Sequence, residues 1–281
     1  AFKMVIKSFS KINLSLSVNK KLKSGLHSIQ SYYCLIDLSD KIKIRKIKFN
    51  RDLIKFKGKF TRDINKKKNS IIKVLTVLRN KKLISNYYSV SIKKEVPVFA
   101  GLGGGTSNAA YLAQYLLKKE YNESIIKTLE KKIGSDIRLF FHKQGFLKDL
   151  KTTKSLNKKY KLYFLLVHPN IKCSSRYIFS KVRNYSRKFD YNSKKIDTRS
   201  KFIKILVNKN NDLQSIVEKR YQIIKKLIKE IEQKKGCCFS RMTGSGSVCY
   251  GVFLSEKTAK AALKIIKFKF PNYWLSTAKT I

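Results

Sequence analysis

From Lys3 to Val18 polar and apolar residues alternate, a period of two that predicts a strand with one buried face. The same signal over Ser28 to Leu38 and again over Lys41 to Asn50 predicts two more strands, with Ser39 and Asp40 between them. In Thr61 to Lys82 the period lengthens, because Ile71, Ile72, Val74, Leu75, Val77 and Leu78 fall at helical spacing. Tyr87 to Lys94 returns to alternation and leads into a glycine-rich run. A helix over Asn108 to Lys118 follows, with Ala109, Ala110, Leu112, Ala113, Leu116 and Leu117 apolar, and later a stop at Gly134. Lys148 to Lys161 is polar and reads as a link dividing the chain into 1–150 and 151–281. Beyond it come an apolar strand, Tyr163 to Val167, and a stretch from Val182 to Ser200 so poor in apolar residues that it predicts a mobile surface segment without chemistry. Ser215 to Lys235 then predicts one amphipathic helix ended by Gly236, followed by a strand over Val248 to Leu254, a helix over Lys257 to Phe268 and a strand over Trp274 to Ile281. This ordering is that of an α+β protein of two domains, the second like a split βαβ.

The run from Val98 to Ala110 sets four glycines, Gly101, Gly103, Gly104 and Gly105, and two hydroxyls, Thr106 and Ser107, directly ahead of a helix. Glycine lets backbone amides approach an anion closely, and the helix aims its positive end at the same place. A phosphate fits such a loop; a plain turn between strand and helix fits it too. No Lys follows the last glycine, so it is no Walker loop, and the spacing differs from G-x-G-x-x-G.

With Pro97 at its head, this stretch resembles the P-x-x-x-G-L-G-[GS]-[GS]-[ST]-[SA] loop of the GHMP kinases. Ser10-Lys11-Ile12-Asn13-Leu14 is similar to that family's A-K-[IL]-N-L, Gly134-Ser135-Asp136-Ile137 to its G-[AS]-D-[VI]-P, and Thr243-Gly244-Ser245-Gly246-Ser247 to its [ST]-G-[ST]-G. Gly25-Leu26-His27, Asn211-Asp212-Leu213 and Pro169 with Ser174-Ser175 resemble the motifs of one branch, which phosphorylates a cytidine diphosphate-linked methylerythritol in non-mevalonate isoprenoid precursor biosynthesis. The resemblance implies a two-domain fold, a ribosomal-protein-S5-domain-2-like unit followed by a ferredoxin-like one, and transfer of the ATP γ-phosphate to the acceptor's 2-hydroxyl. It implies Asp136 as base and Lys11 as the cation beside the acceptor oxygen. The nucleotide would lie on Pro97, Gly101, Leu102, Gly103, Gly104, Gly105, Thr106 and Ser107, near Gly244, Ser245 and Gly246 of the third motif. Asn13 and His27 would serve the cytidine as polar contacts, with Tyr33 and Phe179 as aromatic platforms. Magnesium is implied by the chemistry, though no acidic metal cluster stands out. Three departures remain: Leu26 stands where the branch carries Tyr, Arg138 where it carries Pro, and its G-x-G-E segment has no clear match after residue 145.

A formal charge of +47, from 64 Lys and Arg against 17 Asp and Glu, raises nucleic-acid binding as an alternative. The lysines run from end to end and travel with Ile, Asn, Phe and Tyr, residue types that share adenine- and thymine-rich codons; a biased genome accounts for them, and no specific nucleic-acid partner is expected. Homoserine or mevalonate kinases remain alternatives within the family. No run reaches the ~18 apolar residues of a membrane span, and no signal-peptide core precedes Val18. Five scattered cysteines fit a reduced cytoplasm, or a plastid-type organelle, as buried thiols in a monomer or homodimer.

Overall fold

The computed structural model describes residues 4–118, 122–192 and 195–281. In chain order the first half carries β1 (Met4–Asn13), β2 (Ser17–Lys21), β3 (His27–Ile47), β4 (Leu53–Gly58), α1 (Ser70–Asn80), β5 (Tyr87–Lys94), α2 (Gly104–Leu117), α3 (Glu123–Lys132), a 3₁₀ helix over Ser135–Phe141, β6 (Gln144–Asp149) and β7 (Thr152–Ser155). The second half carries β8 (Tyr163–His168), α4 (Ser175–Ser180), α5 (Arg199–Val207), α6 (Gln214–Arg220), α7 (Gln222–Glu232), β9 (Cys237–Met242), β10 (Cys249–Phe253), α8 (Glu256–Lys269) and β11 (Trp274–Lys279). Two compact units interleave along the chain. Within the described residues the first draws on 4–10, 38–98 and 103–141, the second on 11–37, 99–102 and 142–281.

In the first unit, residues 41–47 of β3 pair antiparallel with β5, and β5 pairs parallel with β4. α1 packs on α2 and α3, burying Ile71, Val74, Leu75, Val77 and Leu78. The helix predicted from Thr61 starts only at Ser70, because Asn69 caps it by accepting from Ile71 N (3.1 Å) and Ile72 N (3.0 Å). Just before it, Asn65 closes a turn by accepting from Lys67 N and Lys68 N.

In the second unit, residues 31–34 of β3 pair with β6, and β6 pairs with β7. The segment expected as a link therefore contains β7, and the division at 150 lies in the turn between β6 and β7. The other sheet has the order β11-β8-β10-β9, antiparallel throughout. With α4 to α7 between β8 and β9 and α8 between β10 and β11, this is the ferredoxin-like arrangement. α7 packs on β9 and β10, and α8 on β8, β10 and β11.

Three further expectations change. The two strands predicted on either side of Ser39-Asp40 are one strand, β3. Asp40 is fully buried and accepts from Glu95 N (2.7 Å) and Val96 N (2.9 Å), so a residue pair that reads as a turn is satisfied by a distant segment. The helix predicted over Ser215 to Lys235 breaks at Tyr221 into α6 and α7. The segment after Val182 is pinned down. Gln30 donates to Phe189 O (2.9 Å) and accepts from Phe189 N (3.0 Å), Ser186 N donates to Val18 O (2.8 Å), and Val182 and Ile196 are buried. Phe189 stacks on Tyr32 and Tyr191 on Phe146, and the crossed pairs Tyr32–Tyr191 and Phe146–Phe189 meet tilted.

All five cysteines are free, and Cys34, Cys173 and Cys249 are buried, where burial pushes each thiol up. Among the described residues no helix is long and apolar enough to cross a membrane.

Candidate active site

In the first unit, Gly103 takes the left-handed conformation (φ 69°) at the N-cap of α2, and no side chain caps the helix. The first amides of a helix have no intrahelical partner, and an end without a side-chain cap suits an anion. The glycines divide the labour. A Cβ on Gly104 would lie 3.2 Å from Val96 Cγ1 and 3.5 Å from Lys94 Nζ, so this glycine serves packing. Gly105 is exposed, and a Cβ there would meet only Ser70 Oγ at 3.9 Å, leaving its backbone open to a ligand. Pro97 is buried. Ser107 is buried, donates to Phe9 O (2.5 Å) and bonds Ser8 Oγ (2.7 Å), so its hydroxyl is spent inside the fold. Thr106 is the half-buried hydroxyl of the loop. Gly134 approaches it, since a Cβ on Gly134 would sit 3.7 Å from Thr106 Oγ1. Asp136, two residues on, is half-buried in the 3₁₀ helix.

Beneath α2 lies a group the motifs did not reveal. Lys94, 1% exposed, donates to Asp40 and to Asn108 Oδ1 (3.0 Å), and Asn108 Nδ2 donates to Asp40 Oδ2 (3.0 Å) and to Ser8 Oγ (2.9 Å). Burial lowers the ammonium, and Asp40 pulls the other way. The cluster ties β5 and β3 to the first turns of the glycine helix. A signal was present: Tyr88, Val90, Ile92 and Lys94 share one strand parity, and a lysine on the apolar face of a strand needs an acid.

In the second unit, Lys11 is 3% exposed and donates to Asn13 Oδ1, two residues along the same strand face. Asn13 Nδ2 donates to Ser31 Oγ (2.9 Å), and Asn13 is buried. Its amide therefore orients the lysine. Lys11 N donates to Leu102 O (3.0 Å), and Leu102 is fully buried. Thr243 joins these pieces: its Oγ1 accepts from Asn13 N (3.0 Å) and donates to Gly101 O (3.3 Å). Asn211 Nδ2 donates to Met242 O and Gly244 O, both at 2.8 Å, which fixes the third glycine motif. Gly244 and Gly246 have positive φ (56° and 88°), and Ser245 Oγ bonds Ser175 Oγ (2.7 Å). Lys11, Asn13, Gly101, Leu102 and residues 243–246 thus form one bonded cluster.

Also in this unit, the rings of Phe179 and His27 stack with centroids 5.3 Å apart, and Tyr185 stacks on His27 at 6.4 Å. Phe179 sits in α4, which Ser174 caps by accepting from Tyr177 N (3.3 Å). Burial and the Lys21 charge hold the His27 imidazole below its usual range, so it is neutral near pH 7. Tyr33, expected as a platform, is fully buried with Gly145 against its ring; Tyr185 is exposed, as is Leu26, which precedes His27 in the glycine turn. Tyr185 lies in the segment predicted to hold no chemistry. Among the described residues no group of three or more His, Cys, Asp or Glu could hold a metal ion.

Residues 197–272 match the family described as GHMP kinases C terminal. The 4-diphosphocytidyl-2-C-methyl-D-erythritol kinase of Pelagibacter ubique is 36% identical over 284 residues, covering 98% of both chains. A crystal structure of 4-(cytidine 5'-diphospho)-2C-methyl-D-erythritol kinase superposes with a TM-score of 0.74 at 19% identity, covering 98% of this chain and 99% of that one. Homoserine kinase from Cytophaga hutchinsonii superposes with a TM-score of 0.64 at 15% identity, covering 100% of this chain and 96% of that one. Identity sustained at this level from end to end, on a fold shared with the GHMP kinases, means that the chain belongs to the 4-diphosphocytidyl-2-C-methyl-D-erythritol kinase family.

Proposed function

We propose that this protein transfers the γ-phosphoryl group of ATP to the 2-hydroxyl of 4-diphosphocytidyl-2-C-methyl-D-erythritol. The observation that carries the reading is the full-length kinship with the Pelagibacter ubique kinase of that name. Phosphoryl transfer needs an acceptor oxygen held in line and negative charge neutralised around it. Asp136 takes the acceptor's proton, and Lys11, oriented by Asn13, favours the alkoxide. The uncapped start of α2 and the open backbone at Gly105 receive the nucleotide phosphates, with the Thr106 hydroxyl beside them. A magnesium ion would arrive on the nucleotide, with the half-buried Thr106 hydroxyl the loop group able to meet it. When bound it supplies neutralisation of phosphate charge. A neutral His27 between Phe179 and Tyr185 reads the edge of the cytosine. The field of a +47 chain draws both anionic substrates in, and free thiols accord with a reducing compartment such as the cytoplasm.

Incubation of purified protein with labelled ATP and this acceptor, homoserine or mevalonate tests the reading. Label is expected on the cytidine compound alone; transfer to either of the others in its place overturns it. Asp136→Asn is expected to lower kcat by about 10²–10⁴-fold with the fold intact. His27→Ala is expected to raise KM for the cytidine acceptor roughly ten- to hundredfold, from a lost polar contact of about 1–3 kcal/mol, while KM for ATP holds.

A further inference from the structure

Asp136 is carried by a 3₁₀ helix of seven residues, a form with poorer hydrogen-bond geometry than an α-helix and rarely sustained without outside support. Its support is visible. Arg138, 6% exposed, sends Nε to Glu130 Oε1 (2.7 Å), Nη2 to Glu130 Oε2 (3.0 Å) and Glu123 Oε1 (2.7 Å), and Nη1 to Glu123 Oε2 (3.1 Å). Both carboxylates are bidentate on one guanidinium, the geometry for which arginine is suited and lysine is not. Glu123 opens α3 and Glu130 lies seven residues later, about two turns, so the pair marks both ends of one helix face. On the other side Gln114 of α2 donates to Phe140 O (3.3 Å), and Ile137, Leu139 and Phe140 are buried. The segment bearing Asp136 is therefore fastened to α3 by ions and to the glycine helix by packing.

We infer that Arg138 is a positioning residue for phosphoryl transfer: the Glu123–Arg138–Glu130 clamp sets where the Asp136 carboxylate stands. The inference rests on the reading of Asp136 as base. Burial of the guanidinium costs free energy that four charge-assisted bonds offset, and the net result holds Arg138 charged. Glu123 is held below its usual range by its bond to Arg138; Glu130 is raised by burial. Stability alone does not require such an arrangement, because apolar residues of similar volume often replace a buried ion cluster without loss. Geometry does require it. Removing the clamp takes four directed bonds from between α3 and the 3₁₀ helix, and apolar packing resists sliding poorly compared with a fork of directed bonds.

The test is Arg138→Met made together with Glu123→Gln and Glu130→Gln, so that no unpaired charge is left to unfold the chain, compared with Arg138→Lys in the natural background. Folding is followed by thermal melting, and kcat and both KM values by the acceptor assay. The expected result is a folded triple variant whose kcat falls by about tenfold or more with both KM values within twofold, and an intermediate kcat for Arg138→Lys, because misplacement by about 1 Å costs up to ~10² in rate. A folded triple variant with natural kcat overturns the clamp as a positioning device, as does a lowered Tm with unchanged turnover per folded molecule. Asp136→Asn, run alongside, separates the two ideas: if it is inactive while the triple variant is fully active, the base stands and the clamp falls. If Asp136→Asn is fully active, the base reading falls and the clamp with it.

Discussion

Gly101→Ala concentrates its effect on one atom pair. Gly101 has φ +81°, a conformation that costs an L-residue about 1–2 kcal/mol, and an added Cβ would stand 2.1 Å from the Thr243 carbonyl oxygen. A Cβ essentially never approaches another heavy atom below 3.0 Å, so Thr243 or Gly101 must yield by about 0.9 Å. The obstacle is backbone and has no rotamer to escape into. Thr243 Oγ1 holds Asn13 N, and Asn13 holds the Lys11 ammonium, so the displacement passes within the second unit to the proposed alkoxide partner. A shift of about 1 Å in a positioned group is worth up to ~10² in rate. The conformational strain of about 1–2 kcal/mol also predicts a Tm lower by roughly 2–8 °C in a chain of this size. Steady-state kinetics at saturating ATP and acceptor, with melting of the same preparation, measures both. Natural kcat and Tm in Gly101→Ala would refute the argument, and a lowered Tm with natural kcat would show that the Thr243 junction supports the fold without aligning Lys11.

Gly105→Ala should fold at least as well as the natural protein, since alanine is favoured over glycine in a helix by up to about 1 kcal/mol, yet raise KM for ATP; calorimetric titration with a non-hydrolysable ATP analogue checks this, and unchanged affinity removes Gly105 from the phosphate seat. Lys94→Met strands Asp40 without its cation and should destabilise by about 3–5 kcal/mol, while Lys94→Met with Asp40→Asn should recover part of the loss; denaturant melts that rank the double variant below the single one would contradict the pairing. All three histidines are held below their ordinary value by burial, with Lys21 adding to His27 and Lys159 to His142. Their folded forms take up protons less readily than the unfolded chain, so stability is full above about pH 6.5 and is lost as pH falls through the lowered values. Thermal melting at pH 7.5 and pH 5 should show the lower Tm in acid, and equal or reversed values would show that these side chains do not govern the acid limb.

Much of this structure is legible in local pattern. Strict alternation marks β5 to the residue, and α8 and the last strand lie within two residues of their predicted ends. What stayed hidden depends on partners far away in sequence. Ser39-Asp40 reads as a break because nothing nearby shows that Lys94 and two amides will satisfy a buried carboxylate. Tyr221 interrupts a helix whose apolar face continues past it, so periodicity carries no sign of the break. At the site, the glycine run was visible as an anion seat, but which glycine faces outward was not, because Val96 and Ser70 decide it. Asn13 and Tyr33 were promoted by motif alone and lie inside the fold. Arg138 drew notice only as a departure, since its two partners are ordinary glutamates of an amphipathic helix.

The pair of hydrogen bonds between the Gln30 amide and the Phe189 backbone has an evolutionary side. A primary amide carries N–H donors and a carbonyl acceptor side by side, so it can pair with both the C=O and the N–H of one residue and guide a neighbouring chain whatever that chain's side chains are. Drift within the segment around Phe189 should therefore be tolerated wherever ring packing survives. Position 30 enjoys no such freedom: glutamate loses the donor, and asparagine is one methylene short. The course of a stretch that is nearly blank in its own composition is written 159 residues upstream, in a single glutamine.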